Sequence, residues 1–281
     1  MDFTAVLFPG QGSLTADARD HARDVVPDLV QRASELVGED PFDRPHDSTR
    51  FAQPAIFVAS MAGWRERQDD LSDVGAMAGH SLGELSALAA AGALRLDDAL
   101  KLVVLRGRLM ADAAEENPGG GMVALLGATP ERAAALAAAH GLELANDNAP
   151  GQVVLSGRRV AIDVVTKAAR AEGLKAMALD LAGAFHSRDM AAAELPFLLA
   201  LEDVPMSRPH VPVVSGYAAR PFAEVPFELA RALVSPVRWR ETMAMLVELG
   251  ARRFVDVGPG EVLARLVKRN VRIEQGDVVL V

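Results

Sequence analysis

Apolar residues recur along the first part of the chain in two ways, as short continuous runs and as longer stretches with helical periodicity. Short runs are typical of buried strands, and the periodic stretches are typical of helices. The pattern predicts a strand at 5–8, a helix at 21–37, a loop at 40–48, a helix at 53–67, a strand ending near 77, and helices at 82–91 and 97–114. Asp97 is a candidate N-cap for the last of these helices.

Short apolar runs again alternate with periodic stretches in the last third of the chain. This pattern predicts a helix at 190–201, a strand at 211–215, a helix ending near 249, a strand at 253–257 and a helix at 261–268. Alternating strands and helices are typical of a parallel sheet that is covered by helices on both faces. We therefore expect an α/β fold, with an α/β-hydrolase-like large subdomain formed by residues 1–121 and 188–281.

The middle of the chain has a different order of elements. Residues 118–121 read Pro-Gly-Gly-Gly and predict a hinge. The elements predicted after it are a strand at 122–127, a helix at 130–140, strands at 142–145 and 152–156, a helix at 160–172 and a strand at 175–180. This β-α-β-β-α-β order is that of a ferredoxin-like unit. We expect residues 122–187 to form a small subdomain inserted into the large one.

Composition excludes several classes of protein. Half of the 281 residues are hydrophobic, as in a globular chain with a full core, and there is no cysteine. The net charge of -9 argues against a general nucleic-acid binder. The sequence has no basic leader and no apolar run of membrane-spanning length, so we expect a cytoplasmic protein that does not enter a membrane. No metal-ligand spacing, Walker loop or G-x-G-x-x-G motif occurs, and no metal is predicted.

The sequence Gly79-His-Ser-Leu-Gly83 lies between a predicted strand and a predicted helix. A strand that enters a helix through one tight turn strains the central residue and crowds its neighbours, which favours glycine at the flanking positions. In such a turn Ser81 is a candidate nucleophile, and the amide of Leu82 at the helix N-terminus is placed to hold an oxyanion. The alternative is a plain glycine-rich turn, because the pentapeptide alone is not specific.

Arg106 lies in the middle of the predicted helix at 97–114. The residues three and four positions away on either side of it are all apolar, namely Leu102, Val103, Leu109 and Met110. A guanidinium stays charged, so burying it on an apolar face costs several kcal/mol unless it meets an anion. Two interpretations stay open: a structural arginine that pairs with a carboxylate such as Glu84 or extends to the rim, and an arginine that binds an anionic ligand.

His186 and Gln11 become relevant if Ser81 is a nucleophile. His186 follows Gly183-Ala-Phe at the seam between the two predicted subdomains, where clefts form. A histidine in a linker is more often solvent-facing, but a serine nucleophile needs a base, and His186 is the candidate. Gln11 follows the first strand in the turn Pro9-Gly-Gln-Gly-Ser13, which by itself predicts only a glycine-rich turn.

Seven short motifs follow one another along the chain. They are Phe8-Pro-Gly-Gln-Gly-Ser13, Gly79-His-Ser-Leu-Gly-Glu84, Arg106-Gly-Arg-Leu-Met110, Asn148-Ala-Pro-Gly-Gln-Val-Val154, Ala184-Phe-His-Ser187, Ser235-Pro-Val-Arg-Trp239 and Gly258-Pro-Gly260. Together they resemble the malonyl-CoA:acyl-carrier-protein transacylase family, and more closely the free-standing acyltransferases that serve polyketide synthases without built-in ones. Leu14 differs from the glutamine of many relatives.

The resemblance implies a serine and histidine dyad. Ser81 matches the nucleophile that carries the acyl group as an ester, and His186 matches the base that takes its proton. In this family the imidazole is oriented by a backbone carbonyl, which we expect near Ala232 or Leu233.

The resemblance also implies the residues that surround the acyl group. Gln11 matches the residue whose amide joins that of Leu82 in the oxyanion hole, and Arg106 matches the arginine that binds the free carboxylate of malonate. Phe185 is expected to crowd the α-carbon of the acyl group and so to favour malonyl over branched units. The predicted substrate-binding residues are therefore Arg106, Phe185, Asn148 and Gly10.

The function implied by the resemblance is malonyl transfer from coenzyme A to the phosphopantetheine thiol of an acyl carrier protein, for polyketide or fatty-acid synthesis. We expect a monomer without a bound cofactor, whose carrier binds transiently in the cleft between the subdomains. One alternative is a serine thioesterase or acyl-carrier-protein hydrolase, which uses the same serine and histidine on water. Another is a docking module without catalysis. The carboxylate-binding arginine favours transfer.

Docking of an acidic carrier on an acidic enzyme requires a local basic surface. Two groups of basic residues near the subdomain seam are candidates, and the alternative is an ordinary solvated surface. The groups are Arg158, Arg159 and Lys167 on one side, and Arg265, Lys268 and Arg269 on the other.

Overall fold

A computed structural model describes residues 2–181, 183–271 and 279–280. The strands are β1 (Phe3–Phe8), β2 (Val74–Gly79), β3 (Gly120–Leu126), β4 (Glu143–Ala149), β5 (Gln152–Arg158), β6 (Lys175–Leu179), β7 (Val213–Val214), β8 (Ala251–Asp256) and β9 (Val279–Leu280). The α-helices are α1 (Ala18–Val25), α2 (Pro27–Val37), α3 (Thr49–Arg67), α4 (Gly83–Ala90), α5 (Leu96–Glu116), α6 (Pro130–His140), α7 (Arg159–Ala171), α8 (Ala191–Glu202), α9 (Val225–Arg231), α10 (Trp239–Leu249) and α11 (Val262–Asn270). Within the described ranges, no helix combines the length and the apolar character needed to cross a bilayer.

The large sheet has the strand order β7-β2-β1-β8-β9, and every neighbouring pair is parallel. Both faces of β1 are buried, with Val6 and Phe8 in one apolar cluster and Ala5 and Leu7 in another. Burial on both faces explains why this strand is a continuous apolar run. Because β1 and β2 are parallel neighbours, the turns after them lie side by side, and the His80 amide donates to the Phe8 carbonyl at 2.9 Å.

The small sheet is antiparallel throughout and has the order β4-β5-β3-β6. In each βαβ unit the two parallel strands are separated by an intervening antiparallel strand, as in a split βαβ arrangement. Val123 and Leu125 pack beneath α6 and α7, whereas Met122 and Val154 face the core of the large subdomain. The predicted fold class is confirmed, and the small sheet forms one wall of a cleft.

Three predicted helix boundaries are wrong. α3 begins at Thr49, four residues before its predicted start at 53. The helix predicted at 21–37 is broken into α1 and α2, because Pro27 has no amide hydrogen to donate and begins a new helix instead. Asp97 does not cap α5, whose N-cap is Arg95. Asp97 lies one residue inside the first turn, where its carboxylate pairs with Arg32 at 2.8 Å and with Lys101 at 2.6 Å.

Other elements differ in extent. The strand predicted at 142–145 continues to Ala149, so that Asn146 and Asn148 lie on a strand. The strand predicted at 211–215 is reduced to two residues at the sheet edge, and α9 was not predicted. β3 begins at Gly120, within the predicted hinge.

Candidate active site

Ser81 lies in the turn between β2 and α4 with a φ of 54°. Holding a residue other than glycine in this left-handed region costs about 1–3 kcal/mol. Only glycine fits at the two flanking positions, because any larger residue would clash. A Cβ on Gly79 would overlap the backbone of Gly83, and a Cβ on Gly83 would overlap the carbonyl of Phe8. The turn therefore has the geometry of a nucleophile elbow, with Ser81 at its tip.

Ser81 and His186 are directly connected. Ser81 Oγ lies 2.9 Å from His186 Nε2, and His186 Nδ1 lies 2.8 Å from the carbonyl oxygen of Ala232. Because a carbonyl only accepts, Nδ1 carries the proton and Nε2 is free to accept one from the serine. Burial, together with the charge of Arg106, lowers the pKa of His186 to about 3, so the ring is neutral at neutral pH. Ala232 is one of the two carbonyls predicted for this position.

Arg106 projects from α5 to the same serine. Its side chain is buried, with Nη2 3.1 Å from Ser81 Oγ and Nη1 donating to Gln53 Oε1 at 2.8 Å. Burial lowers the pKa of Arg106 to about 10, which still leaves the guanidinium charged at neutral pH. Both hydrogen-bond partners of the guanidinium among the described residues, Ser81 and Gln53, are neutral.

Glu84 was the alternative partner for Arg106. It is buried, and its Oε1 accepts a hydrogen bond from the Gly216 amide at 2.8 Å. Burial raises the pKa of the Glu84 carboxyl to about 8, although the Gly216 amide and the Arg106 charge act in the opposite direction. Among the described residues Arg106 forms no hydrogen bond or ion pair with Glu84 or another carboxylate, so no protein anion contacts its charge beside Ser81.

The turn after β1 lies against the elbow. A Cβ on Gly10 would lie only 2.5 Å from the His80 carbonyl oxygen, so only glycine allows the two turns to approach this closely. Gln11 and Leu82 line the same cavity from the two turns. In the part of the chain that the structure describes, neither backbone amide donates to another protein group. Two such amides in one cavity with a serine nucleophile are candidate donors to an oxyanion.

A cavity of about 170 Å³ between the two subdomains brings all the predicted site residues together. They are Gly10, Gln11, Ser81, Leu82, Arg106, Asn148, Phe185 and His186. The cavity lies beyond the carboxyl ends of β1 and β2, where ligands bind in open α/β sheets. Across the described ranges, no group of three or more acidic, histidine or cysteine side chains is placed to hold a metal ion.

Sequence reasoning missed three polar residues of this site. Gln53 accepts a hydrogen bond from Arg106. The only indication of this residue in the sequence was a single amide side chain among the apolar residues of α3. His80 Nε2 lies 2.8 Å from Asn148 Oδ1 and 3.4 Å from Asn146 Nδ2, which links the elbow to β4. Asn146 is two residues before the predicted site residue Asn148, and on a strand this spacing puts both side chains on one face.

Comparison with known proteins agrees with this geometry. The model of the family described as "Acyl transferase domain" matches residues 25–281. The polyketide biosynthesis malonyl CoA-acyl carrier protein transacylase BaeC of Bacillus velezensis is 36% identical, over 94% of this chain and 95% of BaeC. The polyketide biosynthesis protein ThaF of Burkholderia thailandensis is 38% identical over 94% of this chain, which spans only 24% of ThaF.

A solved structure extends the comparison to the fold. The PlMCAT:AntF structure shows a type II polyketide synthase acyl-carrier protein in complex with its malonyl-transacylase, and one of its chains superposes with a TM-score of 0.90. The alignment has 31% identity and covers 99% of this chain and 95% of that one. The chain therefore belongs to the acyl transferase domain family, in the group of malonyl-CoA:acyl carrier protein transacylases.

Proposed function

We propose that this chain transfers a malonyl group from coenzyme A to the phosphopantetheine thiol of an acyl carrier protein, through an ester on Ser81. The observation that carries the proposal is the position of Arg106, whose charged guanidinium lies 3.1 Å from the nucleophile with neutral hydrogen-bond partners. A planar guanidinium binds a carboxylate with two parallel hydrogen bonds. An acyl group that ends in a carboxylate satisfies this charge, whereas a simple acyl chain leaves it buried and unpaired.

The first half of the reaction loads the serine. His186 Nε2 takes the proton of Ser81 Oγ as the oxygen attacks the thioester carbonyl carbon of malonyl-CoA. The negative charge that develops on the carbonyl oxygen is held by the amides of Gln11 and Leu82. The carbon–sulfur bond then breaks, His186 returns the proton to the departing sulfur, and coenzyme A leaves as a thiol. Arg106 holds the malonyl carboxylate throughout.

The second half runs the same steps with a different thiol. The phosphopantetheine thiol of the carrier gives its proton to His186, and the sulfur attacks the ester carbonyl on Ser81. The same two amides hold the oxyanion, the bond to Ser81 Oγ breaks, and His186 protonates the serine. The carrier leaves with a malonyl thioester, which polyketide or fatty-acid synthesis consumes.

One of the two candidate basic groups for carrier docking contacts a residue that lines the active-site cavity. Gln152 lines the active-site cavity, and Arg269 of α11 donates to its Oε1 at 2.7 Å. Leu263 and Leu266 of α11 line the cavity as well. Arg159 begins α7 at the opposite end of β5, where its amide donates to Gly119. We therefore propose that the carrier docks beside α11.

The test of transfer uses the purified chain, malonyl-CoA and a carrier protein that bears phosphopantetheine. We expect the carrier to gain one malonyl group, measured by mass spectrometry, with little free malonate. Free malonate without malonyl-carrier would contradict transfer and support a hydrolase that uses the same dyad on water.

The test of docking compares two charge-reversed double variants. K268E/R269E should raise the Michaelis constant for the carrier and leave acylation by malonyl-CoA nearly unchanged, because both side chains are exposed and neither lines the cavity that holds the acyl group. R158E/R159E, which changes the same number of charges at the other end of β5, is the matched control. An unchanged carrier constant in K268E/R269E would exclude docking beside α11.

A further inference from the structure

Asp147 is a buried carboxylate in the strand that borders the active site. It lies in β4 between Asn146 and Asn148, whose amides face His80, and its own side chain points to the opposite side. Only 6% of the Asp147 side chain is exposed. Arg240 of α10 approaches it with two nitrogens, Nε at 3.2 Å from Oδ1 and Nη2 at 2.7 Å from Oδ2. This fork arrangement fixes orientation as well as distance.

Backbone hydrogen bonds accompany the ion pair. The Asp147 amide donates to the Val237 carbonyl at 2.9 Å, and the Val237 amide donates to the Ala145 carbonyl at 2.8 Å. The stretch before α10 thus adds to the edge of the small sheet as a parallel partner. Ala145 to Asp147 belong to the small sheet and Val237 to Arg240 lie outside it, so the ion pair joins the two sides of the cleft.

Both ends of this connection reach the catalytic residues. On one side, Asn148 contacts His80 at 2.8 Å, and the His80 carbonyl packs against Gly10, which precedes Gln11. On the other side, the carbonyl that holds His186 belongs to Ala232, in the segment that leads directly to Val237 and α10. β4 and this segment, which are bonded to each other, therefore contact the elbow on one side and carry the carbonyl that holds His186 on the other.

We infer that Asp147 and Arg240 are positioning residues, which hold β4 against α10 so that Asn148 fixes His80 and the two turns of the oxyanion site. The inference rests on the acyl transfer proposed above. Removing Arg240 leaves a buried carboxylate without its partner, so β4 shifts towards water. Because the pair itself does not touch the substrate, its loss lowers kcat by more than it raises KM, although Asn148 of β4 lines the cavity.

The experiment compares R240A, R240K and D147N with the wild type. We expect R240A to lower kcat for acylation by malonyl-CoA roughly 10- to 100-fold, the cost of a small misplacement of catalytic groups, with KM little changed. R240K should lie between R240A and the wild type, because lysine supplies the charge without the planar fork. R132A is the matched control, since Arg132 forms an exposed ion pair with Glu172 within the small subdomain.

A second readout separates this inference from the proposed function. Labelling of Ser81 by a fluorophosphonate depends on the elbow and the oxyanion site but not on malonyl-CoA or a carrier, so it should slow in R240A even if the natural acyl group were different. Wild-type labelling and kcat in a folded R240A would overturn the inference. If R240A does not fold, wild-type values in both R240K and D147N would overturn it, and reduced kcat with unchanged KM in either would support it.

Discussion

Replacing Arg106 with alanine is the perturbation for which the structure predicts the largest selective effect. Arg106 is 4% exposed, and its Nη2 lies 3.1 Å from Ser81 Oγ. A buried charge that pairs with a substrate carboxylate contributes about 2–5 kcal/mol, much of it the cost of leaving the partner unpaired. At about 1.4 kcal/mol per tenfold, R106A should lose roughly 30- to several thousand-fold in malonyl transfer.

The same substitution should change selectivity. Without the guanidinium, the site no longer buries an unpaired charge when the acyl group lacks a carboxylate, so acetyl-CoA should become a relatively better substrate. R106K should restore only part of the malonyl activity, because an ammonium cannot form the bidentate pair. The assay is the rate at which Ser81 is acylated by malonyl-CoA and by acetyl-CoA, measured on intact protein.

Two controls make the result interpretable. R108A removes an exposed arginine from the same helix and should leave both acylation rates unchanged. Circular dichroism and thermal unfolding establish whether R106A remains folded. If a folded R106A loses malonyl and acetyl transfer in equal proportion, Arg106 is a structural residue and the reasoning from its charge is refuted.

Three other predictions concern the rest of the site. H186A should slow acylation of Ser81 roughly 10²- to 10⁴-fold without abolishing binding of malonyl-CoA, and a smaller loss in single-turnover kinetics would contradict its role as the base. Malonyl-CoA should be preferred over methylmalonyl-CoA roughly 10- to 200-fold because of Phe185, and equal rates for the two substrates would exclude that role. Glu84 has a pKa that burial raises from 4.5 to about 8, so it stays protonated in the folded chain where the unfolded chain loses the proton. The free energy of unfolding should therefore fall as pH rises through this interval, by up to about 1.4 kcal/mol per pH unit, and E84Q should remove that dependence. Parallel stability curves for wild type and E84Q in denaturant titrations would refute the assignment.

The sequence predicted most of the fold because its signals are local. Apolar runs identified β1 and β8, and the glycines around Ser81 predicted the sharp turn that the φ of 54° confirms. The apolar neighbours of Arg106 predicted that it lies on a buried helix face but left open whether its side chain extends to the rim, and the structure buries it. In each case the residues within one or two turns of the chain determine the outcome.

The features that the sequence did not predict depend on contacts between distant parts of the chain. Gln53 and Arg106 are 53 residues apart, and Asp147 and Arg240 are 93 apart, so no local pattern indicates either pair. The pKa of Glu84 is raised because its carboxyl is buried where α4 packs against the turn at Gly216. This contact is seen only in the folded structure. β4 was predicted too short because polar residues at 146–148 usually mark loops, and here tertiary contacts hold them on a strand.

The central claim is that Ser81 carries the malonyl group as an ester while His186 and Arg106 serve the transfer. Intact-protein mass spectrometry after mixing with malonyl-CoA measures this directly, with S81A as the matched control. We predict that the wild type gains the mass of one malonyl group, that the gain persists until a carrier thiol is added, and that S81A gains nothing. No gain in the wild type, rapid loss of the group to water, or an equal gain in S81A would contradict the account.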